Sequence, residues 1–124
     1  FDNKLKLICG DSPEMLKSLL SELDEPVCFW LDAHAGASKY SRGDDDVPLI
    51  KELSTIAKHH VKNHIIGIDD AHLFGQKQYD SNGNMVCDYS EITLDKVKSL
   101  LLDINPNYDI GIYKPYNMEM VLAI

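Results

Sequence analysis

The 124-residue chain has few cysteines, few basic residues and no long apolar run, and each shortage limits what the protein can be. Three cysteines without CxxC spacing indicate neither a disulfide framework nor a zinc knuckle. Twelve Lys and Arg against 20 Asp and Glu give a net charge of -8, which disfavours direct binding to nucleic acid. No apolar stretch approaches the ~20 residues of a membrane span, and the first residues lack a signal-peptide pattern. We expect one soluble, cytoplasmic domain over residues 1–124 with no membrane partner.

Strand-like and helix-like segments alternate along the chain. The predicted strands are Lys4–Cys9, Val27–Leu31, His64–Ile68, Tyr108–Tyr113 and Met118–Ile124. The predicted helices are Ser12–Leu23, a second helix with Pro48 in its first turn and apolar positions between Leu49 and Ala57, and Thr93–Ile104. The turn Lys114–Asn117 is too short for a parallel crossover, so the last two strands should pair antiparallel. This alternation predicts an α/β fold with a mostly parallel sheet, helices on its faces and an antiparallel C-terminal hairpin.

Two segments lack this periodicity. Ala33–Asp46 is polar and rich in Gly, Ser and Asp, which predicts a long loop, and its acidic end reads as a solvated surface rather than a calcium site. Gly75–Ser90 is predicted as a mobile flap with an exposed hairpin around residues 80–84. Cys9 and Cys28 lie inside apolar strand patterns, and we expect both to be buried, reduced thiols.

Acidic residues follow each of the three predicted parallel strands. Asp11 comes after the first strand, Asp32 after the second, and the pair Asp69 and Asp70 after the third. Because the carboxyl ends of parallel strands open on one crevice, we expect these carboxylates to line a common site. A strand-end carboxylate costs desolvation energy unless a ligand, a metal or a hydrogen-bond donor compensates it. Helix capping by Asp11, or binding of loop amides by Asp32 and Asp69, stays open as a local alternative for each residue alone.

Three motifs and a final hairpin together resemble a known family. Gly10-Asp11, Phe29–His34 and Ile65–Asp70 are similar to the second half of class I S-adenosylmethionine-dependent methyltransferases, and most of all to small-molecule O-methyltransferases of the macrocin type. The resemblance covers essentially the whole chain. It implies a Rossmann-like three-layer sandwich and methyl transfer from S-adenosylmethionine to an oxygen of a small-molecule acceptor. The family's glycine-rich turn and ribose-binding acid have no counterpart here and would lie upstream of Phe1.

The resemblance also implies roles for particular residues. Gly10, Asp11 and Ser12 would lie beside the adenine of the cofactor, and Asp32 would face the methyl-transfer centre as a cofactor-binding and catalytic residue. In the metal-dependent members a divalent cation is held at this place, which here maps onto Asp32, Asp69 and Asp70, with Mg²⁺ as the expected ion. We favour His34 over His72 as the catalytic base, and a hydrogen-bonding wall residue is the alternative role for either histidine.

Two other functions are open at this point. The same aspartates could serve metal-dependent hydrolysis, or the chain could be a non-catalytic binding or assembly domain. An uncovered hydrophobic edge of the sheet would favour association, so we also expect a homodimer through that edge. The spacing of His60 and His64 does not indicate a metal pair, because His64 begins a predicted strand.

Overall fold

The computed structural model describes residues 5–34, 45–116 and 118–124. Most of the predicted loop over residues 33–46 therefore lies outside the described residues, as do Lys4 and Asn117. The elements in chain order are α1 (Ser12–Leu20), β1 (Cys28–Leu31), α2 (Leu49–Ala57), β2 (Ile65–Ile68), a 3-10 turn (Ala71–Leu73), β3 (Lys77–Tyr79), β4 (Met85–Asp88), α3 (Leu94–Ile104), β5 (Ile110–Tyr113) and β6 (Met120–Ala123). The predicted α/β class is confirmed.

The main sheet has the strand order β1-β2-β6-β5. Strands β1 and β2 run parallel with Leu31 opposite Ile68, whereas β6 runs antiparallel to both β2 and β5. The prediction of a mostly parallel sheet is therefore wrong, and the described sheet is mixed. The reason is that the C-terminal hairpin, predicted correctly as antiparallel, inserts β6 directly beside β2 and supplies half of the sheet.

The predicted first strand is not a strand in the described residues. Leu5–Cys9 belongs to no ladder, and Leu7 is 86% exposed. An apolar run becomes a strand only where a neighbouring strand offers hydrogen bonds, and β1 pairs with β2 alone among the described strands. Cys9 and Cys28 are both exposed, so the expected burial of these thiols is wrong as well.

The core lies on one face of the sheet. Phe29 and Leu31 in β1 are buried, and the register places Ile66 and Ile68 of β2 beside them. One hydrophobic cluster joins these strands to the buried faces of the helices, and α2 packs against both α1 and α3. A helical layer on the opposite face is not among the described residues, so the three-layer sandwich stays a prediction.

The opposite face of β1 is open. Trp30 is 55% exposed there, although the sequence predicted helices on the faces of the sheet. Its ring lies across Gly67 of β2, where an added Cβ would come within 2.8 Å of a ring carbon. The lack of a side chain at Gly67 leaves room for the Trp30 ring, and a larger residue at this position of β2 would displace the ring.

Local signals in the sequence explain the ends of the elements. Thr93 caps α3 by accepting a hydrogen bond from the Lys96 amide at 3.2 Å, as an N-terminal threonine should. Helix α1 begins where predicted but ends at Leu20, before Leu23. The predicted hairpin is present as β3 and β4, and the Asp80 carboxylate holds its turn by accepting from the amides of Asn82 and Asn84. Within the described part of the chain, none of the helices combines the length and apolar character needed to cross a bilayer.

Two buried histidines connect α2, β2 and the segment that leads into β1. The Val27 amide donates to His64 Nδ1 at 3.2 Å, so the proton of neutral His64 must lie on Nε2. His64 Nε2 is 2.9 Å from His59 Nδ1, and His59 Nε2 is 2.9 Å from the Leu23 carbonyl oxygen. The chain of bonds therefore runs in one direction, from Val27 through His64 and His59 to Leu23.

This histidine chain makes the stability of the fold depend on pH. Burial lowers the pKa of His64, and neighbouring His59 lowers it further. Histidine in an unfolded chain has a pKa of about 6.5. Just below that pH the unfolded chain therefore binds a proton at His64 that the folded chain does not bind. We expect neutral His64 to make its full contribution to the free energy of unfolding above pH ~6.5, and this contribution to be lost as the pH falls toward the lower pKa of His64 in the folded chain. Urea unfolding at pH 7.5, 6.5 and 5.5 measures the change.

The matched comparison uses a titrating histidine that is exposed. His60→Gln, at an exposed residue whose ring lies near the Asp24 carboxylate and against the His59 ring, should keep most of the loss of stability in acid, because burial and His59 affect the pKa of His64 more than His60 does. His64→Gln should flatten it, because glutamine does not titrate. Equal acid sensitivity of the His64→Gln variant and the wild type would contradict the role assigned to this chain.

Candidate functional site

The candidate site lies at the carboxyl ends of β1 and β2. The parallel register continues one step past both strands, where the Asp69 amide donates to the Leu31 carbonyl at 3.1 Å. Asp32 and Asp69 are therefore neighbours. Asp70 then adopts a left-handed backbone conformation (φ 57°, ψ 26°), and its amide donates to Asp69 Oδ1 at 2.8 Å. This turn directs the side chain of Asp70 back toward the end of β1.

Asp32, His34 and Asp70 form a cluster at this edge of the sheet. His34 Nε2 is 3.5 Å from Asp70 Oδ2 and 3.9 Å from Asp32 Oδ1. One ligand atom from each of the three side chains lies within 4.8 Å of the others. The structure thus brings Asp32 and Asp70 from separate strands together with His34. Asp69 is not a member of this group, but it lines the same small cavity.

Tyr89, at the end of the β3–β4 hairpin, completes the wall of the cluster. Its hydroxyl donates to Asp70 Oδ2 at 3.4 Å, and its ring centre lies 6.4 Å from that of His34. Burial, and next the charge of Asp70, raise the pKa of Tyr89, so the phenol stays protonated and remains a donor. The sequence reasoning missed Tyr89 because it lies in the predicted flap, which has no periodicity to mark an inward side chain.

The electrostatics of the cluster favour a cation. Burial raises the pKa of Asp32, and the charges of Asp69 and Asp70 raise it further, while His34 opposes them. The Asp32 side chain is about half exposed, so solvent screens much of this repulsion. Several carboxylates at one edge of the sheet still leave an excess of negative charge, which a divalent ion would neutralise.

A groove of about 450 Å³ runs from this cluster to the start of α1. It is lined by Gly10, Ser12 and Asp32, and its apolar walls include Phe29 and Trp30. Three of the four predicted cofactor-binding residues therefore share one groove. The fourth, Asp11, caps α1 through its backbone without a side-chain bond and does not line the groove.

The other predicted histidine lies apart. His72 lies in the 3-10 turn after β2 and is not part of the cluster, and its Nδ1 is a buried atom without a hydrogen-bond partner among the described residues. His60, which the sequence placed outside any metal site, is 3.3 Å from Asp24, and His64 is bonded to His59.

The ligand set fits a divalent cation. Metal–oxygen and metal–nitrogen bonds of roughly 2.0–2.3 Å place neighbouring ligand atoms about 3–4 Å apart. The distances of 3.5 and 3.9 Å from His34 Nε2 to the carboxylate oxygens of Asp70 and Asp32 lie in that range. Two carboxylates with one imidazole suit Mn²⁺ or Fe²⁺ better than Mg²⁺, which prefers oxygen alone. His34 cannot serve as a base while its Nε2 binds a metal, so the two roles exclude each other.

Comparison with models of protein families found no match, and comparisons with curated proteins and with solved structures found none either.

The cluster predicts metal binding with a defined set of ligands. We expect the protein to bind Mn²⁺. Binding is detected as a loss of the signal of the free ion in electron paramagnetic resonance. Asp32→Asn and Asp70→Asn should each weaken binding by about tenfold or more, because each removes a charged oxygen ligand. His34→Ala should weaken Mn²⁺ binding more than Mg²⁺ binding, since imidazole favours the softer ion.

Two variants test the specificity of this set. Asp103→Asn removes the same charge at an exposed position of α3 and should leave the affinity unchanged. Asp69→Asn should weaken binding less than Asp70→Asn, because it removes a nearby charge but none of the three ligands, and asparagine keeps the oxygen that accepts from the Asp70 amide. A loss with Asp69→Asn equal to that with Asp70→Asn would restore the predicted set of three aspartates and contradict the role of His34.

Proposed function

We propose that this chain is part of an S-adenosylmethionine-dependent methyltransferase that transfers a methyl group to an oxygen of a small molecule, with a divalent cation at Asp32, His34 and Asp70. One observation carries the proposal: Asp32 belongs both to the metal-type cluster and to the groove that contains Gly10 and Ser12. A cofactor in the groove and an acceptor bound at the cluster would meet at this residue. The β5–β6 hairpin, which the methyltransferase resemblance implies, gives further support.

The groove would bind the cofactor and the cluster would bind the acceptor. The apolar walls at Phe29 and Trp30 and the polar groups of Gly10 and Ser12 suit a ligand with both a flat and a hydrogen-bonding part, and the groove has the size of small-molecule sites, roughly 300–1,000 Å³. S-adenosylmethionine supplies an activated methyl group when bound. The cluster would hold the acceptor oxygen in line and favour its deprotonated form.

Two finer features belong to this proposal. A Rossmann-like three-layer sandwich would cover the open face of β1, and the exposure of Trp30 supports a further layer there. None of the three cysteines, which all lie in the part of the chain that the structure describes, forms a disulfide bond, and this supports a reducing, cytoplasmic setting.

Calorimetry with S-adenosylhomocysteine tests the cofactor assignment. We expect the wild type to release heat on binding, and Ser12→Ala and Asp32→Asn to weaken binding because both residues line the groove. Asp11→Ala distinguishes two expectations. The sequence predicts that Asp11 contacts adenine, so that its loss weakens binding, whereas in the structure Asp11 lies outside the groove lining, so that its loss leaves binding unchanged. Asp103→Asn is again the charge-matched control.

The rival functions predict different results. Mn²⁺ binding without any binding of S-adenosylhomocysteine would contradict methyl transfer and favour metal-dependent hydrolysis by the same cluster. Binding of neither ligand would leave the non-catalytic binding or assembly domain.

We also propose that two copies associate through the edge of β1 that pairs with no other described strand. The exposed side chain of Trp30 in β1 supports association, since unpaired edges with apolar neighbours favour added strands. Light scattering should give twice the chain mass, and Trp30→Lys should give a monomer, whereas Tyr79→Lys, at an exposed position of β3, should not. A wild type that stays monomeric at high concentration would contradict the dimer.

A further inference from the structure

Glu52 is a buried acid that none of the roles above requires. It lies in the first turn of α2 and is only 3% exposed. One carboxyl oxygen, Oε1, accepts a hydrogen bond from the Ser12 hydroxyl at 2.6 Å. The other oxygen, Oε2, is buried and has no hydrogen-bond partner among the described residues.

Stability does not explain this residue. Burial raises the pKa of Glu52, the bond from Ser12 opposes that shift, and the charge of Asp11 adds to it. A buried carboxyl group with one unpaired oxygen costs free energy, and an apolar side chain of similar size usually does better at such a place. Leu53 and Ile56 on the same helix are completely buried, so the surroundings would accept an apolar residue.

The position of Glu52 connects it to the groove. Ser12 is the first residue of α1, so the bond from Ser12 to Glu52 fixes the beginning of α1 against α2. Glu52 lines the groove together with Gly10 and Ser12, and it also lines the small cavity below Asp32 and Tyr89. It therefore lines both the groove and the cavity next to the cluster.

We propose that Glu52 is a positioning residue, which holds Ser12 and the first turn of α1 at a fixed distance from Asp32 so that the groove fits the nucleoside of the cofactor. This inference rests on the proposed function. It assigns to Glu52 no contact with the reacting atoms, and its effect passes through Ser12.

Three variants separate positioning from simple stabilisation. Glu52→Leu should bind S-adenosylhomocysteine about tenfold more weakly, as expected for the loss of one hydrogen bond that shapes the site, while its thermal midpoint stays equal to or above that of the wild type. Glu52→Gln should restore binding, because the amide oxygen still accepts from Ser12. Ser12→Ala should weaken binding, and adding it to Glu52→Leu should cause little further loss, since both remove the same bond.

Two results would overturn the inference. One is unchanged affinity in Glu52→Leu. The other is a loss of affinity that follows a fall in the thermal midpoint and is not rescued by Glu52→Gln, which would make the role structural only.

A second measurement does not depend on the cofactor. If the wild type fails to bind S-adenosylhomocysteine, the proposed function fails, and hydrogen exchange still tests Glu52. The Met15 amide, which donates to the Asp11 carbonyl in the first turn of α1, should exchange faster in Glu52→Leu than in the wild type, while amides of α3 should not change. Equal exchange at the start of α1 in the two proteins would contradict the positioning role.

Discussion

The parallel register between β1 and β2 is the constraint on which the candidate site depends. With Leu31 opposite Ile68, the strands end together and the next residue of each is an aspartate. A shift of β1 by one residue would turn Phe29 and Leu31 out of the core, so the buried face of the sheet fixes the register. The same apolar contacts that stabilise the fold therefore bring the acids together, and the repulsion between the acids is offset by the burial of those side chains.

Much of the architecture follows from patterns in the sequence. Strand β1, helix α2, helix α3 and the C-terminal hairpin were all predictable, because apolar spacing and short connections reflect local physics. The failed prediction, Lys4–Cys9, has as good an apolar pattern as β1. The pattern states that a segment could lie in a sheet, but only the presence of a neighbour decides whether it does, and that neighbour is not encoded in the segment itself.

The site was predictable in part for the same reason. Asp32 and Asp70 follow strands and were expected to converge. The grouping of His34, and not of Asp69, with these two residues depends on the left-handed turn at Asp70, which has no clear signal in a single sequence. Tyr89 and Glu52 reach the site from other elements. Tyr89 arrives through the β3–β4 hairpin and Glu52 through helix packing, and contacts between distant segments cannot be read from local spacing.

The directional histidine chain has a consequence for metal chemistry. The lone pair of His64 Nδ1 accepts from the Val27 amide, and that of His59 Nδ1 accepts from His64, so neither ring has an electron pair left to offer a metal ion. His59, His60 and His64 form the most histidine-rich stretch of the sequence. The hydrogen bond from the Val27 amide and the bond between the two rings nevertheless leave His64 and His59 unable to coordinate a metal ion. The fold thereby uses His59 and His64 as hydrogen-bonding groups of its core and not as metal ligands.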